Sequence, residues 1–169
     1  SCDVYFYDLA HRLGIDALAE SLDEFGIGSL TGVELPSEKR GILPSSEWKK
    51  RVIGSNWYGG ETLIVGIGQG YMLATPLQLA VATSALATRG TAYKPKLVAS
   101  VAGAALPLEP LLDVTAPADY WNEVVAGMVD TVFSPRGTAA GLRTGITYSV
   151  AGKTGTAQVV GIAQDATYD

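Results

Sequence analysis

The stretch SVAGKTGTAQ, residues 149–158, admits two readings that lead to different proteins. Gly152-Lys153-Thr154 is how a nucleotide-binding phosphate loop ends. Lys153-Thr154-Gly155 equally suits the wall of a cleft that binds a peptide C-terminus. A phosphate loop needs a glycine five positions before the one preceding the lysine. That position is Thr147. The loop must also lead from a strand into a helix whose N-terminus holds the phosphates. Here β-favouring residues flank both sides, and Gly155, Ala157, Val159 and Val160 do not start a helix. The phosphate-loop reading fails on both counts.

On a strand the same residues make chemical sense, and the pattern predicts one from Thr147 to Val160. Alternation puts Lys153 and Gly155 on one face and Thr154 and Thr156 on the other. A cation there attracts a carboxylate, and threonine hydroxyls can hydrogen-bond it. Glycine lets a peptide lie close alongside as an added strand. A backbone N–H just beyond could serve an oxyanion hole. The tripeptide alone does not decide the matter, so the rest of the chain has to.

Two other motifs invite function. Gly66-Ile67-Gly68-Gln69-Gly70 would need glycine or alanine at position 71 to be a dinucleotide fingerprint, and Tyr71 stands there. It reads as a tight loop. Ser46-Glu47-Trp48-Lys49 matches the Ser-x-x-Lys pattern of acyl-enzyme serines. That pairing works one helical turn apart at a helix start. The tetrad follows Pro44 within a long Gly/Pro-rich stretch, so it reads as surface loop rather than nucleophile.

The composition narrows the function classes. A net charge of −5 over 169 residues, with Lys49-Lys50-Arg51 the longest basic run, argues against nucleic acid as a partner. A single cysteine, Cys2, excludes an internal disulfide. No stretch approaches the roughly 20 apolar residues that cross a bilayer. With 47% hydrophobic residues the chain can bury a sizeable core.

Residues 4–25 read as helix in two pieces. Tyr5, Leu9 and Leu13 repeat at four-residue spacing, Gly14 interrupts, Asp16 could cap the second piece, and Leu18, Leu22 and Phe25 form its apolar face. Gly26 fits the position just past the end. Residues 26–74 read mostly as loop. Thr75-Pro76-Leu77-Gln78 is a capping box that starts a helix running to Thr88, apolar nearly all round and so predicted to be buried. Residues 91–117 look weakly stranded, with Lys94 to Val98 the best short strand. A last helix covers 118–133, with Trp121, Val125, Met128 and Val132 on one face, and Ser134-Pro135-Arg136-Gly137 breaks it.

Read in order, the pieces become specific: Ser1-Cys2-Asp3 before an aromatic-rich helix, Gly32-Val33-Glu34-Leu35-Pro36, Gly41-Ile42-Leu43-Pro44, Trp48-Lys49, Gly60-Glu61-Thr62, Ile67-Gly68-Gln69-Gly70-Tyr71, Thr75 to Ala80, Gly137-Thr138-Ala139 and Ala151 to Gln158. Over nearly its whole length the chain resembles the transpeptidase domain of class B penicillin-binding proteins, most closely the elongation-type branch of Gram-negative bacteria. The resemblance implies an α+β, penicillin-recognising serine transpeptidase or β-lactamase-like fold. Residues 1–169 would form a partial domain, mostly its helical half plus the active-site Lys-Thr-Gly strand.

In that family Ser-x-x-Lys, Ser-x-Asn and Lys-Thr-Gly meet in one cleft. The resemblance places the second motif at Ser1-Cys2-Asp3, with Asp3 for the usual asparagine, and the third at Lys153-Thr154-Gly155. Ser-x-x-Lys precedes both in the family order, so the nucleophile is expected before residue 1 and the chain alone is expected to be inactive. The implied reaction is attack by that serine on the penultimate D-alanine carbonyl of a peptidoglycan stem peptide, loss of terminal D-alanine, and resolution by a neighbouring amine to a 4,3 cross-link. β-Lactams would acylate the same serine. Ser1 would relay a proton, Lys153 would set the local field and support that relay across the cleft, Thr154 and Thr156 would bind the substrate carboxylate, Gly155 would let the peptide approach, and the Thr156 N–H would form half of the oxyanion hole.

No cofactor is required by this chemistry. Cys2 reads either as a small residue at a helix start or as a zinc ligand whose partners come from outside the chain, with His11 an ordinary helix-surface residue. The resemblance further implies a periplasmic domain of a single-pass inner-membrane protein, with a SEDS-type glycosyltransferase and elongation-complex proteins as partners. A non-catalytic β-lactam-sensing relative, a β-lactamase and a D,D-carboxypeptidase are the alternatives.

Overall fold

A computed structural model describes residues 2–157. The chain divides into two compact units, residues 1–127 and 128–169, and each is described by itself.

The first unit opens with α1 (Asp3–Leu13) and α2 (Ile15–Glu24). Gly14 separates them at φ 77 and ψ 162, a conformation outside the helical region that glycine adopts without strain. Gly14 itself caps α2. Asp16 does not, because its carboxylate is engaged elsewhere. α2 turns Ile15, Leu18, Ala19 and Leu22 inward, and Gly26 follows its end at φ 79, both as the sequence predicts. The Tyr5–Leu9–Leu13 stripe of α1 stays exposed instead. α1 packs on α4 (Gly59–Gly66) through Ala10 and Phe6, where a Cβ at Gly66 would run into the Ala10 side chain.

The stretch expected to be mostly loop contains two helices, α3 (Ser46–Val52) and α4. Both are short, and their polar and glycine-rich sequences hide the helical period. Ser45, not Ser46, caps α3 by accepting the Trp48 N–H. The Asp16 carboxylate of α2 takes the Ser46 N–H at 2.9 Å and the Ser46 hydroxyl at 2.7 Å. Glu61 closes the first turn of α4 by accepting the Tyr58 N–H.

α5 (Pro76–Ala87) starts on the predicted capping box, Thr75 accepting the Gln78 N–H and Gln78 accepting the Thr75 N–H. It buries one face only (Gln78, Val81, Ala85), and Leu79 on the other side is 52% exposed. Val81 and Ala85 form a core with Ala92, closed by Phe25, Leu111 and Leu112. Ala92 belongs to β1 (Thr91–Tyr93), which pairs antiparallel with β4 (Pro110–Asp113), matching Ala92 with Leu112. β2 (Ser100–Val101) and β3 (Ala104–Ala105) form a small hairpin between them. The expected strand at Lys94–Val98 is absent from these pairs. Pro95 cannot donate to a ladder, and Lys94 and Lys96 instead reach Glu109 at 3.8 and 2.7 Å.

α6 (Ala118–Phe133) ends the first unit and begins the second. Trp121 and Val132 are buried on its predicted face, and Ser134-Pro135 ends it. In the second unit its last carbonyls find partners close by. Asp130 O takes the Ser134 N–H, Thr131 O the Ala139 N–H, and Phe133 O the Arg143 guanidinium. A short 3-10 turn covers Ala140–Arg143. Residues 147–157 form no ladder with any described strand, so the predicted strand is not formed as such among the described residues. A strand is defined by hydrogen bonds to a neighbour, and here the neighbour is a helix. Residues 158–160 of that prediction lie outside the described residues.

Candidate active site

The Lys153-Thr154-Gly155 segment is seated on the end of α6. The Gly152 N–H donates to Met128 O at 3.0 Å, and Gly152 lies against Val132. Exposure alternates from there. Lys153 and Gly155 are exposed, while Gly152 and Thr154 are half-buried, which matches the predicted division of faces. Thr156, predicted to share the face of Thr154, is exposed. The Lys153 ammonium donates to the Thr154 carbonyl at 2.5 Å. The Thr154 hydroxyl lies 2.9 Å from the hydroxyl of Thr138.

Thr138 reaches that position because Gly137 can press onto the helix end. A Cβ at Gly137 would collide with the carbonyls of Thr131 and Asp130. Gly155 contrasts with it. Its φ is not left-handed, and among the described residues an added Cβ would meet nothing within 4 Å. The described residues therefore make no demand for glycine there. Glycine leaves the backbone at 155 open to a group from outside.

The second predicted group stands at the head of α1 in the first unit. Cys2 occupies the N-cap position with no side-chain cap, and Asp3 is the first helical residue; both are exposed. Ser1, and with it the expected approach of Lys153 to Ser1, lies outside the described residues. Among the described residues no group of three His, Cys, Asp or Glu could hold a metal ion, so they add no partner to the zinc reading of Cys2.

Ser46 and Lys49 do stand at a helix start, contrary to the loop expected, yet each side chain is paired with another group and not with the other. The Ser46 hydroxyl is held by Asp16. The Lys49 side chain is 3% exposed and donates to Glu61 at 2.5 Å. Its ammonium lies 4.5, 5.7 and 5.8 Å from the ring centroids of Tyr58, Tyr71 and Trp57. Burial pushes the Glu61 carboxyl up, but the bonds from Lys49 and the Tyr58 N–H outweigh it and leave the group below its ordinary value. Sequence reasoning missed this cage and the Thr138 contact. The Trp48-Lys49 and Gly137-Thr138 pairs signalled both positions without showing what they touch.

The family model for the penicillin binding protein transpeptidase domain matches residues 1–169. The chain belongs to that transpeptidase family. The peptidoglycan D,D-transpeptidase MrdA of Acinetobacter baumannii is 43% identical over the whole chain, and that of Escherichia coli K12 is 38% identical, again over the whole chain. The chain spans about a quarter of these relatives, 25% and 28% of their lengths. Among solved structures, Pseudomonas aeruginosa PBP2 in complex with WCK 5153 superposes with a TM-score of 0.84 at 43% identity, over 93% of this chain and 36% of that one. The complex of Helicobacter pylori PBP2 with MreC gives 0.80 at 37% identity, over 93% and 29%. A peptidoglycan synthase complex that coordinates polymerization and crosslinking gives 0.79 at 35%, over 91% and 26%. The fold is thus that of a penicillin-binding transpeptidase domain, mixed helix and sheet as the resemblance implied, and this chain is a portion of it.

Proposed function

We propose that the protein carrying this chain is a peptidoglycan D,D-transpeptidase acting through a serine acyl-enzyme, and that this segment supplies one wall of its substrate cleft. Gly155 carries the reading. It is a glycine that nothing in the described chain requires, set between two threonines and two residues after an exposed lysine. That combination suits a peptide ending in a carboxylate, lying alongside as an added strand. Lys153 attracts the terminal carboxylate, and Thr154 and Thr156 hydrogen-bond it. The Thr156 N–H, with a second donor, stabilises the oxyanion. Ser1 relays the proton to the leaving D-alanine, and Asp3, two residues on in the sequence, stands at the head of α1.

The substrates of this reading are stem peptides ending in D-Ala-D-Ala, with β-lactams as mimics. The chemistry calls for no cofactor, and zinc at Cys2 would need ligands from outside this chain. The relatives solved with MreC and in a synthase complex support partners of the elongation machinery, a SEDS-type glycosyltransferase among them. A periplasmic domain on a single inner-membrane span is the matching location.

The test is Gly155→Ala in the full-length protein, scored by acylation with a fluorescent penicillin and by mass spectrometry of cross-linked products. The variant should keep its melting temperature within about 2 °C and lose acylation roughly tenfold or more. Unchanged acylation and cross-linking would sink the reading of Gly155. Hydrolysis of penicillin without any cross-linked product would favour a β-lactamase or carboxypeptidase instead.

A further inference from the structure

The Thr138–Thr154 contact has no part in the chemistry described so far. The two hydroxyls lie 2.9 Å apart, and their position is fixed from both sides. The Ala139 N–H donates to Thr131 O at 2.9 Å, and Gly137 is pressed against the end of α6, which pins the Thr138 backbone. Gly152 is bonded to Met128 O on the same helix, which pins the backbone leading to Thr154. The Thr154 carbonyl is in turn held by the Lys153 ammonium. Thr154 is therefore restrained at its carbonyl and at its hydroxyl, and both Thr138 and the backbone leading to Thr154 are held by one helix end.

A threonine hydroxyl has one proton and can rotate it toward any acceptor in reach. To bind a carboxylate, Thr154 has to send that proton to the ligand, because an ionised carboxylate only accepts. Its neighbour must then be the donor. We propose that Thr138 is a positioning residue for the carboxylate subsite: its O–H donates to Thr154 Oγ1, which leaves the Thr154 proton directed at the carboxylate of substrate or inhibitor. Donating and accepting at once also polarises the Thr154 hydroxyl and strengthens its bond to an anion. Without Thr138, Thr154 keeps its hydroxyl but loses both its fixed rotamer and that polarisation. This inference rests on the transpeptidase reading and adds a specificity determinant to it, namely preference for a charged carboxylate over a neutral group.

The experiment uses the full-length protein and two probes, a β-lactam with its free carboxylate and the same β-lactam as its carboxamide. Second-order acylation rates are measured for the wild type, Thr138→Val, Thr138→Ser and Thr154→Val. The expected result is a loss of roughly tenfold for Thr138→Val with the carboxylate probe, about the upper end for one hydrogen bond between neutral groups. The carboxamide probe should change little, and Thr138→Ser should be near wild type with both. Should Thr138→Val fail to fold, Thr138→Ala removes the donor without adding bulk and carries the same comparison. Equal loss with both probes, or no loss with either, overturns the proposal. Thr154→Val retaining the full carboxylate preference also overturns it, while leaving the transpeptidase reading intact. A wild type acylated by neither probe would instead defeat that reading itself.

Discussion

Glu61→Gln keeps the shape of the Lys49 cage and removes its negative charge. Removing one partner of a buried ion pair costs about 3–5 kcal/mol, because the remaining charge is left without compensation. Two observations reduce that figure here. The Glu61 side chain is 22% exposed, so water can approach the pair from its side. The Tyr58, Tyr71 and Trp57 rings around the ammonium remain in place, each able to supply roughly 0.5–2 kcal/mol. A net loss of about 2–3 kcal/mol follows. This chain is a portion of a larger domain, so the fall in melting temperature is smaller than for a domain of about 150–250 residues, roughly 3–6 °C by calorimetry on the full-length protein. The double variant Lys49→Met with Glu61→Leu replaces the pair by apolar groups and should lie within about 1 kcal/mol of wild type.

The difference between wild type and Glu61→Gln also has a pH signature. The Glu61 carboxyl lies below its ordinary value, so its contribution is complete above the unfolded value of about 4.3. That contribution is lost as pH falls through the folded value. The gap between the two proteins should be flat through neutral pH and close only below about pH 4. A Glu61→Gln protein that melts with the wild type at pH 7 would refute the buried pair. So would a double variant as damaged as the single one.

Gln78→Leu should be more damaging than its apolar gain suggests. The Gln78 side chain, 1% exposed, donates to Ser29 O and Arg40 O and accepts the Thr75 N–H, so three backbone groups lose their partner. We expect a loss of about 2–4 kcal/mol by denaturant unfolding. Ser46→Ala should leave penicillin acylation of the full-length protein unchanged, because its hydroxyl is committed to Asp16. A labelling rate reduced tenfold would reinstate the tetrad as a nucleophile. Glu38 accepts the Thr31 hydroxyl and the N–H groups of Thr31 and Gly32, and the Thr31 hydroxyl foremost holds its carboxyl below the ordinary range. Its loop-closing contribution should therefore persist at neutral pH and fade only in acid, seen as a loss of exchange protection at Thr31 and Gly32, relative to the intrinsic rate at each pH, below about pH 4. Glu38→Gln should show that low protection at every pH.

What the sequence made legible was whatever depends on local chemistry. The Thr75–Gln78 capping box, the break at Gly14 and the stop at Ser134-Pro135 each use side chains adjacent in sequence, and each is where it was expected. The order of motifs was legible too, because each has its own residue types. What stayed hidden depends on partners far along the chain. Asp16 reads locally as a cap for α2, but its carboxylate serves Ser46, thirty residues on. Lys49 reads as one of three surface cations until Glu61 and three rings enclose it. Thr147 to Val160 reads as a strand by composition, but among the described residues its anchor is a helix carbonyl, and composition does not specify a neighbour.

The segment between α2 and α5 shows why a glycine- and proline-rich stretch can still be ordered. Its apolar content is too scattered to fold by burial alone, and several of its large side chains, Leu35, Val52, Ile53 and Tyr58 among them, remain exposed. Order comes instead from buried polar groups with definite geometry: Thr31 with Glu38, Lys49 with Glu61, Thr62 with the Trp57 indole, and Gln78 with Ser29 and Arg40. Among the described residues no buried side-chain nitrogen or oxygen lacks a partner. Such bonds add modest net stability, but leaving one unmade is costly, so they select a single arrangement of the chain. That arrangement reaches as far as α1. Glu61 sits in the first turn of α4, and α4 packs through Gly66 onto Ala10 of α1, the helix whose first residue is Asp3. The Lys49 cage therefore braces α4, which packs on α1 at Phe6 and Ala10. Its ion pair is better understood as a means of selecting that arrangement than as a source of stability.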